Sequence, residues 1–107
     1  MTTFDEREQA FETKFARDQD MTFRIIARRN RLLGLWAAEQ MKLTPEEADA
    51  YAKAVVQAEF EESGDEDVVR KLYGDLVSAQ VEIEEAAIRT AMDEKLVEAR
   101  RQLLDSI

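Results

Sequence analysis

The sequence predicts an all-α fold, a four-helix bundle carrying a mobile, helix-prone N-terminal arm. Charged residues make up 36% of the 107, with one Pro and three Gly, a balance that suits helices far better than a sandwich or barrel. Apolar residues recur with helical spacing, as at Ile25, Ile26, Leu32, Leu33, Trp36 and Ala37, which draws one greasy face on a long helix. Start and stop signals then cut the chain into segments of helical length, most clearly at Thr44-Pro45-Glu46-Glu47 and Ser63-Gly64-Asp65. A chain of this length is one domain with a modest core and no deep active-site cavity.

Residues 1–18 form the arm. They open with Thr3-x-x-Glu6, a capping-box spacing in which hydroxyl and carboxylate each satisfy a free backbone N–H. Phe4, Phe11 and Phe15 follow at i, i+7 and i+11, one narrow stripe with charge nearly everywhere else. A helix so short with so thin a stripe is marginal alone in water, so we read it as a segment that orders fully on a partner. The alternative is a first helix folded back on the bundle.

The bundle occupies 19–107, with helices at about 19–41, 45–62, 66–78 and 84–105. Asp18-Gln19-Asp20 interrupts the Phe stripe and leads into the first of these, where Asp20 and Arg24 make an i, i+4 pair. Gly34 costs that helix about 1 kcal/mol relative to Ala, and a Gly so placed often marks the close approach of another backbone. Thr44 is a good N-cap, Pro45 a favoured first-turn residue, and Glu47 completes a capping box. Ala48, Tyr51, Ala52, Val55 and Val56 give the second helix its face, and Gly64 permits a left-handed stop. Asp65 is expected to cap the third helix, with Val68, Val69, Leu72, Tyr73, Leu76 and Val77 facing the core. From Asp65 to the end a single helix would run ~60 Å, about twice the diameter of such a domain, so a turn is placed near Ala79–Glu84. Ile88, Ala91, Met92, Leu96, Ala99 and Leu103 line the fourth helix.

Composition excludes much chemistry. With no Cys there are no disulfides or thiolate sites, and with no His the commonest general base and the usual zinc ligand are missing. There is no Gly-rich phosphate loop. A formal charge of −9 argues against nucleic-acid binding, which needs a basic surface. No apolar run approaches the ~20 residues of a membrane span, and the acidic start lacks a signal peptide's basic and apolar regions. No catalytic or metal-ligating residues are expected. The clusters Glu46-Glu47, Asp65-Glu66-Asp67 and Glu82-Glu84-Glu85 fall at helix starts, where they complement the helix dipole. Arg24, Arg28, Arg29 and Arg31 match phosphate geometry, and Arg24, Arg28 and Arg31 are candidates for nucleotide phosphate. Salt bridging to the chain's own surplus carboxylates is the favoured reading of the four. The stem of Arg29, on the apolar stripe, is expected to be packed.

Several stretches resemble the zeta-type inhibitor subunit of alphaproteobacterial F-type ATP synthases. They are Thr2-Thr3-Phe4-Asp5-Glu6-Arg7-Glu8, Phe11-Glu12-x-Lys14-Phe15-Ala16, Ala27-Arg28-Arg29-Asn30-Arg31-Leu32-Leu33-Gly34-Leu35-Trp36-Ala37-Ala38-Glu39, Ala50-Tyr51-Ala52-x-x-Val55-Val56 and Gly64-Asp65-Glu66-Asp67-Val68-Val69-Arg70-Lys71. The resemblance implies an inhibitor, not an enzyme, whose arm enters a catalytic interface of the synthase head, becomes helical and blocks rotation in the hydrolytic direction. The implied partner is that head, at the boundary of catalytic and non-catalytic subunits beside the central stalk. Contact residues would be Phe4, Asp5, Glu6, Arg7, Glu8, Phe11, Lys14 and Phe15. It further implies weak ADP or ATP binding with no required cofactor, a monomer when free, no membrane insertion, and a place at the cytoplasmic face of the inner membrane. The other reading is a nucleotide-responsive regulatory or assembly protein with no inhibitory arm. Two departures concern helix ends: Lys42 stands where a helix-ending Gly is expected, and the turn before the last helix lacks the family's Gly and Ser.

Overall fold

Four helices follow one another along the chain: α1 (Thr2–Gln40), α2 (Pro45–Glu61), α3 (Asp65–Ser78) and α4 (Glu85–Asp105). The structure, a computed structural model, describes the backbone of residues 2–61 and 64–105 and the side chains of 19–59 and 64–104. Helical backbone continues from the bundle through Asp18-Gln19-Asp20 as far as Thr2. The Thr3/Glu6 capping box and the arm's Phe stripe involve side chains outside the described residues.

Short links make sequential neighbours antiparallel. α1 packs along α2 and α4, α3 sits between α2 and α4 opposite α1, and among the described residues the backbones of α2 and α4 do not approach one another closely. The core joins Leu33 and Ala37 of α1, Val55 of α2, Val68, Val69, Leu72 and Leu76 of α3, and Ile88, Ala91 and Met92 of α4. Trp36, Tyr51 and Met41 pack at its edge, partly buried. Tyr73 and Val77 are corrections to the expected core: they stand 43% and 49% exposed. The expected stripe was one row too wide, because a helix of 14 residues held by neighbours on one side buries only Val68, Val69, Leu72 and Leu76.

At Gly34 α1 and α2 come very close. A Cβ built there would stand 2.8 Å from Cα of Ala52 and 3.2 Å from Cγ2 of Val55. Only a hydrogen lets the two backbones approach so near, which offsets the helix propensity that Gly forfeits.

The starts of α2 and α3 differ. Thr44 and Glu47 form the capping box: Thr44 N–H donates to Glu47 Oε1 at 3.0 Å, and Glu47 N–H to Thr44 Oγ1 at 3.2 Å. The Thr44 backbone N–H first, and the Thr44 side chain second, hold the Glu47 carboxyl below its ordinary pKa. At α3 the cap position belongs to Gly64, at φ 138°, with no side-chain cap bond. Asp65 therefore does not cap α3 as expected; it is the first helical residue, and its carboxylate accepts from Arg29.

Both departures at helix ends resolve in one geometry. Lys42 at φ 59° and Gln80 at φ 63° adopt the left-handed conformation that usually falls to Gly. After α1, Lys42 N–H donates to Glu39 O and Leu43 N–H to Ala38 O. After α3, Gln80 N–H donates to Val77 O and Val81 N–H to Leu76 O. Each pair of bonds is a Schellman cap, built without its favoured residue. Lys42→Gly and Gln80→Gly are each expected to raise stability by about 0.5–1 kcal/mol, since relief of left-handed strain exceeds the added entropy of the unfolded chain. Urea titrations check this, and an unchanged or lowered midpoint in both variants would refute it.

Candidate functional site

The basic cluster of α1 distributes itself over three neighbours. Arg24 Nε lies 3.1 Å from Asp20, the expected i, i+4 pair, with both side chains well exposed. Arg31 bridges to Asp49 of α2 at 3.0 Å, and Lys53 joins the same carboxylate at 3.1 Å. Arg31 first and Lys53 second hold the Asp49 carboxyl below its ordinary pKa. Arg29 is buried and reaches Asp65 of α3 at 2.9 Å. Self-pairing thus accounts for three of the four arginines. Among the described residues Arg28 is the exception: its guanidinium donates to the neutral amide oxygen of Gln102 on α4, at 3.1 Å.

Arg29 and Asn30 form a buried polar knot that the sequence reading reached only in part. Both Nε and a terminal nitrogen of Arg29 donate to Asn30 Oδ1, at 3.0 and 2.9 Å. Glu59 of α2 stands 4.0 Å from the same guanidinium. Arg29 therefore ties α1 to the end of α2 and the start of α3, and its stem packs as expected. Asn30 Nδ2 and Glu59 Oε2 are buried with no hydrogen-bond partner among the described residues.

Two further ties were missed. Tyr51 O–H donates to Asp75 at 2.8 Å, Lys71 bridges to the same carboxylate at 3.1 Å, and its ammonium lies 5.3 Å from the Tyr51 ring centroid. Burial first, then the Asp75 carboxylate, pushes the Tyr51 hydroxyl well above its ordinary pKa. The i, i+4 spacing of Lys71 and Asp75 is the one signal of this tie that sequence carries. Between α3 and α4, Arg89 donates to both oxygens of Glu66, at 2.9 and 2.7 Å, and to Glu85 at 3.2 Å. That fork holds the Glu66 carboxyl below its ordinary value of 4.5, the hydrogen bonds to Arg89 acting first and its charge second.

The Glu66–Arg89 pair sets an acid limit. The folded pKa of Glu66 is depressed, so its contribution is full above the unfolded value and is lost as pH falls through the folded one. Melting midpoints should be nearly flat from about pH 6 to 8, where no His titrates, and fall below about pH 5. Glu66→Gln should fall less steeply on that limb. A parent and variant with superimposable pH profiles would show that the pair adds nothing to folding.

Arg24, Arg28 and Arg31, the candidates for phosphate, do come together. They line one open groove of about 750 Å³ with Lys53 of α2. The arm candidates Phe4, Asp5, Glu6, Arg7, Glu8, Phe11, Lys14 and Phe15 lie on α1, but their side chains are outside the described residues. Among the described residues no group of three or more metal-ligating side chains converges, and no helix is long and apolar enough to cross a membrane.

A search of curated proteins finds no match. A protein solved by solution NMR is 45% identical, over 81% of this chain and 99% of its own, and superposes with a TM-score of 0.71. The sequence profile of the family described as ATPase inhibitor subunit zeta matches residues 1–102. That match takes in the arm, the Arg29 knot and nearly all of α4. The chain belongs to the ATPase inhibitor subunit zeta family.

Proposed function

We propose that this protein is a regulatory inhibitor of F-type ATP synthase. Its residues 1–18 enter a catalytic interface of the synthase head as a helix, between catalytic and non-catalytic subunits beside the central stalk, and block rotation in the ATP-hydrolysis direction. The observation that carries this is the reach of the family profile, which begins at residue 1 and so includes the arm with the bundle.

The physics of the chain supports a mechanical role. An apolar stripe with charged flanks suits the helix-in-groove mode, in which rings fill a cleft and charges pair at its rim. Phe4, Phe11 and Phe15 supply the rings; Asp5, Glu6, Arg7, Glu8 and Lys14 supply the rim. The helix that carries them continues into the most heavily packed helix of the bundle. There it is held by the Gly34 contact, by Arg29 to Asp65 and by Arg31 to Asp49. A load on the arm is thus passed to an anchored element. The protein acts by occupancy rather than by chemistry, so neither catalytic residues nor a cofactor are needed. Its place of action is the synthase head at the cytoplasmic face of the inner membrane.

The test is the rate of ATP hydrolysis by isolated synthase heads with and without this protein. Hydrolysis should fall as it is added. A rate unchanged at a large molar excess overturns the proposal.

A further inference from the structure

The groove over α1 holds four of the chain's cations although the chain as a whole carries −9. Arg24, Arg28 and Arg31 come from α1 and Lys53 from α2. Among the described residues two carboxylates answer them, Asp20 at Arg24 and Asp49 shared by Arg31 and Lys53. Arg28 meets only the neutral Gln102 amide among the described residues. Among the described residues the groove is therefore locally positive, on an acidic molecule. Its remaining walls are largely apolar: Phe23, 53% exposed, and Ala27 on α1, with Val56 of α2 and Leu103 of α4. Among the described residues the backbones of α2 and α4, which flank α1, do not approach closely across the groove.

We propose that this groove docks an acidic amphipathic helix of a partner protein. The spacing selects a helix over a compact anion. Arg24, Arg28 and Arg31 stand at i, i+4 and i+7, a row spread over roughly 10 Å of helix axis. A phosphate cluster is gripped by cations converging on one point, often with backbone N–H groups. Phe23 and Ala27, at i and i+4, form an apolar row beside the basic one. A ligand helix with carboxylates on one row and apolar side chains on the next matches both rows at once. Charge complementarity then orients it and speeds its arrival. The described lining of the groove begins at Phe23, and its test reads peptide binding rather than ATP hydrolysis, so this inference does not depend on how the arm acts.

The test uses the full-length protein and a fluorescent 18-residue amphipathic peptide with a Leu row flanked by a Glu row. Binding is followed by anisotropy at about 50 mM salt, where screening is weak. The peptide should bind, and Arg28→Glu and Lys53→Glu should each weaken it by about tenfold or more. Both side chains are exposed, so unchanged thermal melts confirm that these variants remain folded. A peptide with Lys for Glu, and a scrambled peptide of the same composition, should not bind. Magnesium ATP in excess should leave the complex in place. Failure of the Glu peptide to bind, or equal binding of either control peptide, overturns the proposal. Displacement by ATP would make the groove a phosphate site instead. Dimerisation of the free protein that Arg28→Glu abolishes would make its occupant a second copy of the chain.

Discussion

Leu33→Ala and Gly34→Val, at adjacent residues, should both cripple the bundle, by opposite routes. Leu33 is fully buried at the centre of the core. Its truncation removes transfer free energy and leaves a cavity, at a cost of roughly 2–5 kcal/mol. Gly34→Val puts new atoms where Cα of Ala52 already stands 2.8 Å from the ideal Cβ position. Backbone cannot swing aside as a side chain can, so α2 must move away from α1. Overpacking of this kind costs typically about 1–3 kcal/mol, and a branched residue against backbone belongs at or above the top of that range. Against a total stability of about 5–15 kcal/mol for a domain, either loss is large. Gly34→Ala is the finer test, because helix propensity favours Ala by about 1 kcal/mol. We expect the contact to outweigh that gain and the variant to melt below the parent. If Gly34→Ala instead melts higher, α1 and α2 part at little cost and the close approach does not constrain the fold.

Gly34 also illustrates what a sequence discloses. A Gly inside a helical stripe carries a penalty that something must offset, so it announced a neighbouring backbone before the neighbour was known. Thr44-Pro45-Glu46-Glu47 was legible for a similar reason, since capping bonds are local and both partners lie within four residues. Long-range choices were not. Asp65 at a helix start reads as a cap, yet it is claimed by Arg29, 36 residues away. Tyr73 and Val77 fit the apolar stripe of α3, but which edge of a stripe is covered depends on where α2 and α4 lie. Lys42 and Gln80 took the left-handed conformation because the links that follow had to reverse the chain, a tertiary demand that overrode residue preference. At the candidate site, the spacing of Arg24, Arg28 and Arg31 was enough to put them on one helix. Only the fold could supply Lys53 and the apolar walls beside them. The neutral partner of Arg28 was equally hidden, because Gln102 lies 74 residues away.

Replacing Phe4, Phe11 and Phe15 together by Ser is expected to abolish inhibition of ATP hydrolysis and to leave the bundle's melting temperature nearly unchanged. The two halves of that expectation come from different parts of the chain. Among the described residues, the apolar core draws on Leu33 and residues beyond it. The three rings precede that core by at least 18 positions on the same helix. In the partner's cleft, each ring would contribute roughly 1.5–3 kcal/mol of transfer free energy. Losing three would cost about 4.5–9 kcal/mol on that scale, enough to erase binding from the nanomolar range. Single changes at Glu6, Arg7, Glu8 or Lys14 should weaken inhibition more gently, because rim charges remain partly solvated in a complex. Hydrolysis assays and thermal melts on the same preparations separate the alternatives. A triple variant that melts far below the parent would mean that the rings belong to the bundle's own core, as in the folded-back reading of residues 1–18. One that melts normally and still inhibits would move the inhibitory surface onto the bundle, and the assignment of the arm would fall.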